Sequence, residues 1–228
     1  ELRALFPQDK ILSEEHDEIP SDFSGRVWMV DPLDGTQEYT KRHNGFSVCL
    51  GLCQDGQPVL GVVFNPARNE LFYAERGRGA FLFQGKEPPG KERQQLAVSS
   101  ISRLRDAHLV TRIKSPAHRP LDPFVEALSV RNRHSDGGCA LKMCTVAQGK
   151  ADIYIHTSFH LSKWDSCAAQ VILEEAGGKI TDVEGNLLEY GKPTVEWEKS
   201  MVVSNGKIHQ EVMEEVGRFL EKSKKGQF

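Results

Sequence analysis

Three short stretches of the chain place acids where folding alone gives them no role. Ser13-Glu14-Glu15 closes a short apolar run, Asp31-Pro32-Leu33-Asp34-Gly35-Thr36 follows the apolar run RVWMV, and Trp164-Asp165 precedes a helical pattern. In the second stretch a strand gives way to a turn set by Pro32, and two carboxylates three residues apart can be aimed at one point. Gly35 and Thr36 then open a helical turn whose first N–H groups have no partner within the helix, a place that favours an anion. One segment can therefore hold a cation through Asp31 and Asp34 and a phosphate through Gly35 and Thr36. Mg2+ suits the set: it takes hard oxygen ligands, keeps several waters and is commonly bound by a few carboxylates together with substrate phosphate. Plainer roles exist for single residues. Asp34 can be an N-cap with Gln37 completing a capping box, and Asp165 an N-cap with Trp164 packed on Ala169. Caps do not explain why Asp31 ends a buried strand, nor why a Glu pair ends the strand before it.

Other chemistries fit less well. His156 and His160 are four apart, as zinc ligands on a helix would be, but they follow a strand, so no zinc site is expected. DPLDGTQEYTKR ends in Arg42, where a calcium-binding EF-hand loop needs a Glu. No Cys or His nucleophile stands out. The five cysteines, at positions 49, 53, 139, 144 and 167, are odd in number and form no CxxC pair. A disulfide framework is therefore not expected, and a reducing, cytoplasmic location is. Cys49 and Cys53 lie in an alternating apolar run and are expected to face one side of a strand as small core residues.

The elements that must position these acids can be read from periodicity. Short apolar runs at 10–13, 25–30, 47–53, 58–64, 70–74 and 79–83 read as strands, the last four as an antiparallel meander separated by QDGQ, NPARN and RGRG. The polar stretch 84–95 reads as a loop and a lobe boundary. Beyond it, strands at 106–112, 151–156, 179–183 and 201–205 alternate with helices at 123–130, 138–148, 166–176 and about 207–221. Two lobes follow: 1–100, an antiparallel sheet carrying the SEE and DPLDGT motifs, and 101–228, an α/β lobe carrying the Trp-Asp motif and a substrate-binding helix. The opening ELRALFPQDK reads as the last turn of a helix already under way, so a preceding segment is expected. Of 228 residues 39% are hydrophobic, with 11 Phe, enough for a sizeable core. The 29 Lys+Arg against 32 Asp+Glu argue against binding a nucleic-acid polymer or a membrane surface. No apolar run approaches the ~18 residues of a membrane span.

DPLDGT at 31–36 and WDSCAAQVILEEAGG at 164–178, with Ser-Glu-Glu upstream, resemble the paired signatures of the inositol monophosphatase-like, lithium-sensitive, Mg2+-dependent phosphatases. The resemblance covers nearly the whole chain. WMVDPLDGTQEYTKR at 28–42, GVVFNP at 61–66 and KWDSCAAQVILEEAGGKITDVEGN at 163–186 are most similar to the 3′(2′),5′-bisphosphate nucleotidases, which convert adenosine 3′,5′-bisphosphate to AMP. The resemblance implies an α/β fold, an α+β lobe followed by an α/β lobe, layered as the α-β-α-β-α sandwich of the inositol monophosphatase/fructose-bisphosphatase type with the N-terminal helices missing. It implies Glu14, Asp31, Asp34, Asp165 and the Leu33 carbonyl as ligands of two or three Mg2+ ions, with Li+ as an inhibitor. Thr36 would orient and deprotonate the attacking water beside Glu14 and Asp34, with no covalent phospho-enzyme. A small phosphate ester would be held by Gly35, Thr36, Thr111, Gly138, Lys142 and Asp165.

A lysine one turn into a helix leans toward its N-terminus, so Lys142 can reach over the anion-binding end near Gly138; its plainer role is a solvated lysine on an exposed face. Between Asp152 and Asp165 there is no acid of the kind inositol monophosphatases use to grip a sugar hydroxyl, and Lys163 suits a substrate with extra phosphate charge. Two departures are visible. Thr111-Arg112-Ile113-Lys114 stands where nucleotidases have Thr-Arg-Ser-His, with His118 as the nearest substitute for the His. The family's N-terminal helical pair, bearing an Asp that partners the threonine, is not in this sequence, and a chain that truly began here would hydrolyse poorly. An inositol-phosphate or sugar-phosphate phosphatase is the alternative of the same fold, and a catalytically silent phosphate or nucleotide sensor the alternative of another class.

Overall fold

The apolar alternation of the first half builds one continuous sheet in the computed structural model, which describes residues 1–16, 18–85, 93–112, 119, 121–158 and 161–224. After a single turn of helix, α1 (Leu2–Leu5), the strands are β1 (Lys10–Ser13), β2 (Arg26–Asp34), β3 (Ser47–Gln54), β4 (Gln57–Asn65), β5 (Glu70–Glu75), β6 (Ala80–Gln84) and β7 (Gln94–Gln95), neighbours in chain order. β1 runs parallel to β2, and every later pair is antiparallel. Asp55 (φ 50°) and Gly56 (φ 75°) make the two-residue turn between β3 and β4, both in the left-handed region that a tight hairpin requires. The sheet extends into the stretch 84–95 expected as a loop: β7 pairs with β6 at Phe81 and Gln95, while residues 86–92 lie outside the described residues. A short helix, α2 (Thr36–Thr40), follows β2.

The second half contributes β8 (His108–Arg112), α3 (Asp122–Ala127), β9 (Asn132–Asp136), α4 (Cys139–Ala147), β10 (Ile153–Ile155), β11 (Leu161–Ser162), α5 (Lys163–Glu175), β12 (Lys179–Asp182), β13 (Glu196–Trp197), β14 (Met201–Ser204) and α6 (His209–Lys224). A five-stranded mixed sheet has the order β12-β14-β10-β8-β9, and β11 and β13 form a separate ribbon. β9 was invisible to periodicity because NRHSD is polar and mostly exposed. α3 stops at Ala127, short of the expected 130, where the Arg133 guanidinium takes the carbonyls of Val125, Glu126 and Leu128 that a further turn would have used. α5 starts at Lys163, three residues before the expected 166, with Ser162 as its N-cap.

α5 lies directly on the first sheet. A side chain at Gly61 would strike the Ala168 carbonyl, and one at Gly51 the Cys167 sulfur, so the strands admit the helix backbone only through glycine. The resulting core joins both halves: Val27, Met29, Cys49 and Val63 of the sheet pack with Met143, Val146, Ala169 and Ile172 of α4 and α5. A second cluster, including Leu109, Ile153, Val202 and Val212, seats α6 on the five-stranded sheet. All five cysteines are buried and free, Cys49 and Cys53 together in the core as expected. Among the described residues no helix is long and apolar enough to cross a membrane.

Candidate metal and phosphate site

Asp31 and Asp34 lie in one strand at a spacing that should send them to opposite faces. The pairing of β2 with β3 resolves this. Asp31 faces Cys49 and Asp34 faces Ser47, so β2 carries one extra residue across the interval, a bulge that returns both carboxylates to the same side. Pro32 sits where the ladder is already broken. Asp31 Oδ1 accepts the Leu33 N–H at 2.8 Å, and the Thr36 hydroxyl donates to the Leu33 carbonyl at 3.2 Å, which ties the turn together. Asp165 comes from across the core at the third position of α5, accepting the Ser162 N–H at 2.7 Å in a capping box. It is not itself the N-cap.

These elements converge. One carboxylate oxygen from each of Asp31, Asp34 and Asp165 lies within 4.8 Å of the others. Glu14 stands just outside this triad. Ser13 pairs with Val30 and the Glu14 N–H donates to the Val30 carbonyl at 3.2 Å, so Glu14, just past the end of β1, falls beside Asp31 and is a side-chain hydrogen-bond partner of that carboxyl.

Asp34 has a second role that local sequence did not reveal. It does not cap α2, whose N-cap is Gly35. Its carboxylate instead caps α4, accepting the N–H of Cys139 and of Ala140 at 2.9 Å each and the Ser47 hydroxyl at 3.2 Å. α4 therefore begins on a buried internal anion. Gly138 fits this junction because a side chain there would strike the Asp34 carboxylate, and its N–H donates to the Gly45 carbonyl at 2.7 Å. Gly137 likewise meets Gly45 backbone to backbone. Sequence reasoning singled out Gly138 as a nucleotide contact but missed Gly45, Gly137 and Ser47. The Gly137-Gly138 pair before a helix was a usable signal; an isolated Gly45 was not.

The electrostatics of the triad are unbalanced. Burial, then the charge of Asp34, pushes Asp31 up to about 9. The same two causes push Asp165 up to about 7. Burial raises Asp34 as well, against the pull of Lys142 and of the α4 amides. Three carboxylates this close cannot all ionise without added positive charge. The Lys142 ammonium, whose charge bears on Asp34, donates to the carbonyls of Gly137 and Gly138 and is itself destabilised as a cation by burial. A buried, oxygen-only donor set that lacks countercharge fits a hard divalent cation.

The triad borders a cleft of about 810 Å³, whose lining includes Asp34, Gly35, Thr36, Thr111, Gly138, Lys142 and Asp165 from the predicted set, with Arg119 and His134 on further walls. Asp31, Leu33 and Glu14 are not part of that lining. Lys142 does lean back over the start of α4, but it is buried, not solvated on an open face. Thr111 faces the cleft with its hydroxyl donating to the His134 carbonyl at 3.3 Å. Ile113, Lys114 and His118 lie outside the described residues, as does His160 of the zinc alternative.

One expectation is overturned. Lys163 does not face the substrate side. It is fully buried, its ammonium donates to the carbonyls of Tyr190 at 3.3 Å and Lys192 at 2.5 Å, and it lies 4.8 Å from the Phe23 ring centroid. At about 100° per residue, two steps along a helix separate Lys163 from Asp165 by most of a half-turn, so one cannot face the cleft with the other.

Residues 1–221 of the chain match the model of the inositol monophosphatase family. The inositol-1-monophosphatase of Bacillus subtilis is 32% identical over 216 residues, covering 94% of this chain and 77% of that protein. The 3′(2′),5′-bisphosphate nucleotidase CysQ of Salmonella typhimurium is 35% identical over 194 residues, covering 83% of this chain and 73% of that protein. The inositol monophosphatase structure from Anabaena superposes with a TM-score of 0.79 at 29% identity, covering 95% of this chain and 81% of that one. With the acidic triad, the layered sheets and these relatives in agreement, the chain belongs to the inositol monophosphatase family of metal-dependent phosphatases.

Proposed function

We propose that the protein removes the 3′-phosphate of adenosine 3′,5′-bisphosphate, giving AMP and phosphate. The observation that carries the chemistry is the convergence of Asp31, Asp34 and Asp165 beside an open cleft. The choice of a nucleotide is supported by the missing acid between Asp152 and Asp165, by Lys142 at the cleft wall, and by the 35% identity to the Salmonella nucleotidase.

In this reading Asp31, Asp34, Asp165, Glu14 and the Leu33 carbonyl hold Mg2+. A bound cation would neutralise the phosphoryl oxygens and lower the pKa of the attacking water. The chain's own groups supply position. Thr36 donates its proton to the Leu33 carbonyl, so its hydroxyl oxygen is left as an acceptor that can orient the water. Gly35, Thr36, Gly138 and Lys142 seat the ester, and Thr111, which also lines the cleft, meets the rest of the substrate. No covalent intermediate is required, because positioning and electrostatics suffice for phosphoryl transfer to water.

The 32% identity to an inositol-1-monophosphatase favours a second reading, hydrolysis of an inositol or sugar phosphate. Phosphate release from adenosine 3′,5′-bisphosphate, inositol 1-phosphate and fructose 1,6-bisphosphate at equal concentration, with and without Mg2+ and Li+, decides between them. The bisphosphate nucleotide is expected to be preferred, with release dependent on Mg2+ and suppressed by Li+. A clear preference for inositol 1-phosphate reverses the assignment.

A further inference from the structure

The turn between β4 and β5 lies far along the chain from every acidic motif, yet it grips both loops that meet at the start of α4. Asn65, fully buried at the end of β4, donates through Nδ2 to the Asn44 carbonyl at 2.8 Å and accepts the Arg68 N–H at 2.9 Å. Arg68 then forks onto Asp136, with Nη2 to Oδ1 at 2.6 Å and Nη1 to Oδ2 at 3.4 Å. Asp136 in turn accepts the Gly137 N–H at 2.8 Å and the Thr145 hydroxyl of α4 at 3.1 Å. Asn44 and Asp136 are the immediate chain neighbours of Gly45 and Gly137, the two glycines in backbone contact.

We propose that Arg68, seated on Asn65, is a positioning residue for the ester side of the site. It is not one of the residues lining the cleft, and its hydrogen bonds go to Asn65 and Asp136. It acts through Asp136 and Gly137, setting where Gly138 and Lys142 stand relative to Asp34. The forked, charge-assisted geometry gives this pair a directional hold that a single-point surface ion pair lacks. The proposal rests on the reading above, in which the start of α4 and Lys142 seat the phosphate ester.

The test is steady-state kinetics on the full chain with the substrate it prefers from the panel. Arg68→Met is expected to raise KM about 10- to 100-fold, the scale of a misplacement transmitted from outside the chemistry. The Mg2+ concentration giving half-maximal activity should stay at the wild-type value, because the triad stands on β2 and α5. Arg68→Lys, which keeps the charge and loses the fork, should recover most of the KM. Arg78→Ala, on the next hairpin, is the control with wild-type kinetics. An unchanged KM in Arg68→Met overturns the proposal, as does a loss of melting temperature and Mg2+ response together that Arg68→Lys does not rescue. Should Arg68→Met not fold, Arg68→Gln decides in its place: a raised KM with a wild-type Mg2+ response supports the proposal, and a wild-type KM refutes it. An active wild type with indifferent Arg68 variants sinks this inference and leaves the functional reading standing. A wild type that hydrolyses no member of the panel sinks both.

Discussion

Two helices begin beside the cleft, and they begin in opposite ways. α5 is locally self-sufficient: Ser162 and Asp165 satisfy each other's backbone within one turn. α4 starts at Cys139 behind its N-cap Gly138, makes no side-chain cap of its own, and takes the carboxylate of Asp34, a residue 105 positions before Cys139 in the chain. The difference teaches that one aspartate belongs both to the acidic triad and to the start of a helix that lines the cleft, so that in the proposed reading it serves cation and ester at once. Asp165 offers its charge to the pocket from a helix whose start is already closed by Ser162.

That contrast is broken hardest by exchanging each aspartate for asparagine. Asp34→Asn removes a donor and turns an NH2 group toward the N–H of Cys139 or Ala140. Mg2+-dependent phosphate release should fall by about three orders of magnitude or more, roughly 4 kcal/mol of transition-state stabilisation. Urea unfolding should register a further loss of about 1–2 kcal/mol in stability from the cap. Asp165→Asn should lose activity on a similar scale with a smaller stability loss, since an amide oxygen can still accept the Ser162 N–H. Equal stability losses in the two variants would erase the distinction between the two helix starts.

A third helix start sharpens it through pH. α6 opens with His209, whose ring nitrogens lie 3.0 Å from the Thr181 hydroxyl and 2.9 Å from that of Ser204. Burial, and then Lys179, push its pKa down from 6.5 to about 4. The folded state therefore keeps the imidazole neutral where the unfolded chain would protonate it. Its contribution is intact above pH 6.5 and is lost as the pH falls toward about 4, up to about 3 kcal/mol in all. Urea midpoints between pH 7 and 4 in wild type and His209→Gln measure it, and the variant should show the shallower decline. Where α4 takes a negative charge at its first turn, α6 excludes a positive one through the burial of His209 and the charge of Lys179.

The acidic cluster of the candidate site was legible because acids in apolar surroundings are conspicuous. DPLDGT and the Trp-Asp motif could be joined by resemblance, and the strands of the meander follow the alternation that half-buried strands show. What stayed hidden was long-range or sub-residue in scale. No local pattern says that the extra residue between Asp31 and Asp34 is absorbed by a bulge, or that Asp34 caps a helix from the other half of the chain. Gly45 carries no signal by itself, because its reason is a contact with Gly137. NRHSD gave no alternation, so β9 was missed. Placing the start of α5 three residues late had the largest consequence, since it treated Lys163 as a free residue before the helix when it is the helix's first residue, with its direction already set.

Lys142 and Lys163 make the smallest and most discriminating comparison. Both are buried cations near a helix start, both donate to two backbone carbonyls, and both are held below the ordinary lysine pKa by burial, Lys163 at about 8. They differ in what lies beside them. Lys142 lines the cleft, whereas Lys163 is enclosed by Phe23, Trp197 and the loop at Tyr190 to Lys192. Lys142→Met should therefore raise KM for a bisphosphate substrate about tenfold, near 1.4 kcal/mol, with less change for a substrate bearing one phosphate. Lys163→Met should leave KM alone. Its effect falls on stability, where two carbonyls lose a donor but an ammonium no longer has to be kept out of water, so the net change should be small, within about 1–2 kcal/mol. If the KM effect instead follows Lys163, the ester's second charge is read from the α5 side, and the division of labour between the two helix starts is the reverse of the one proposed.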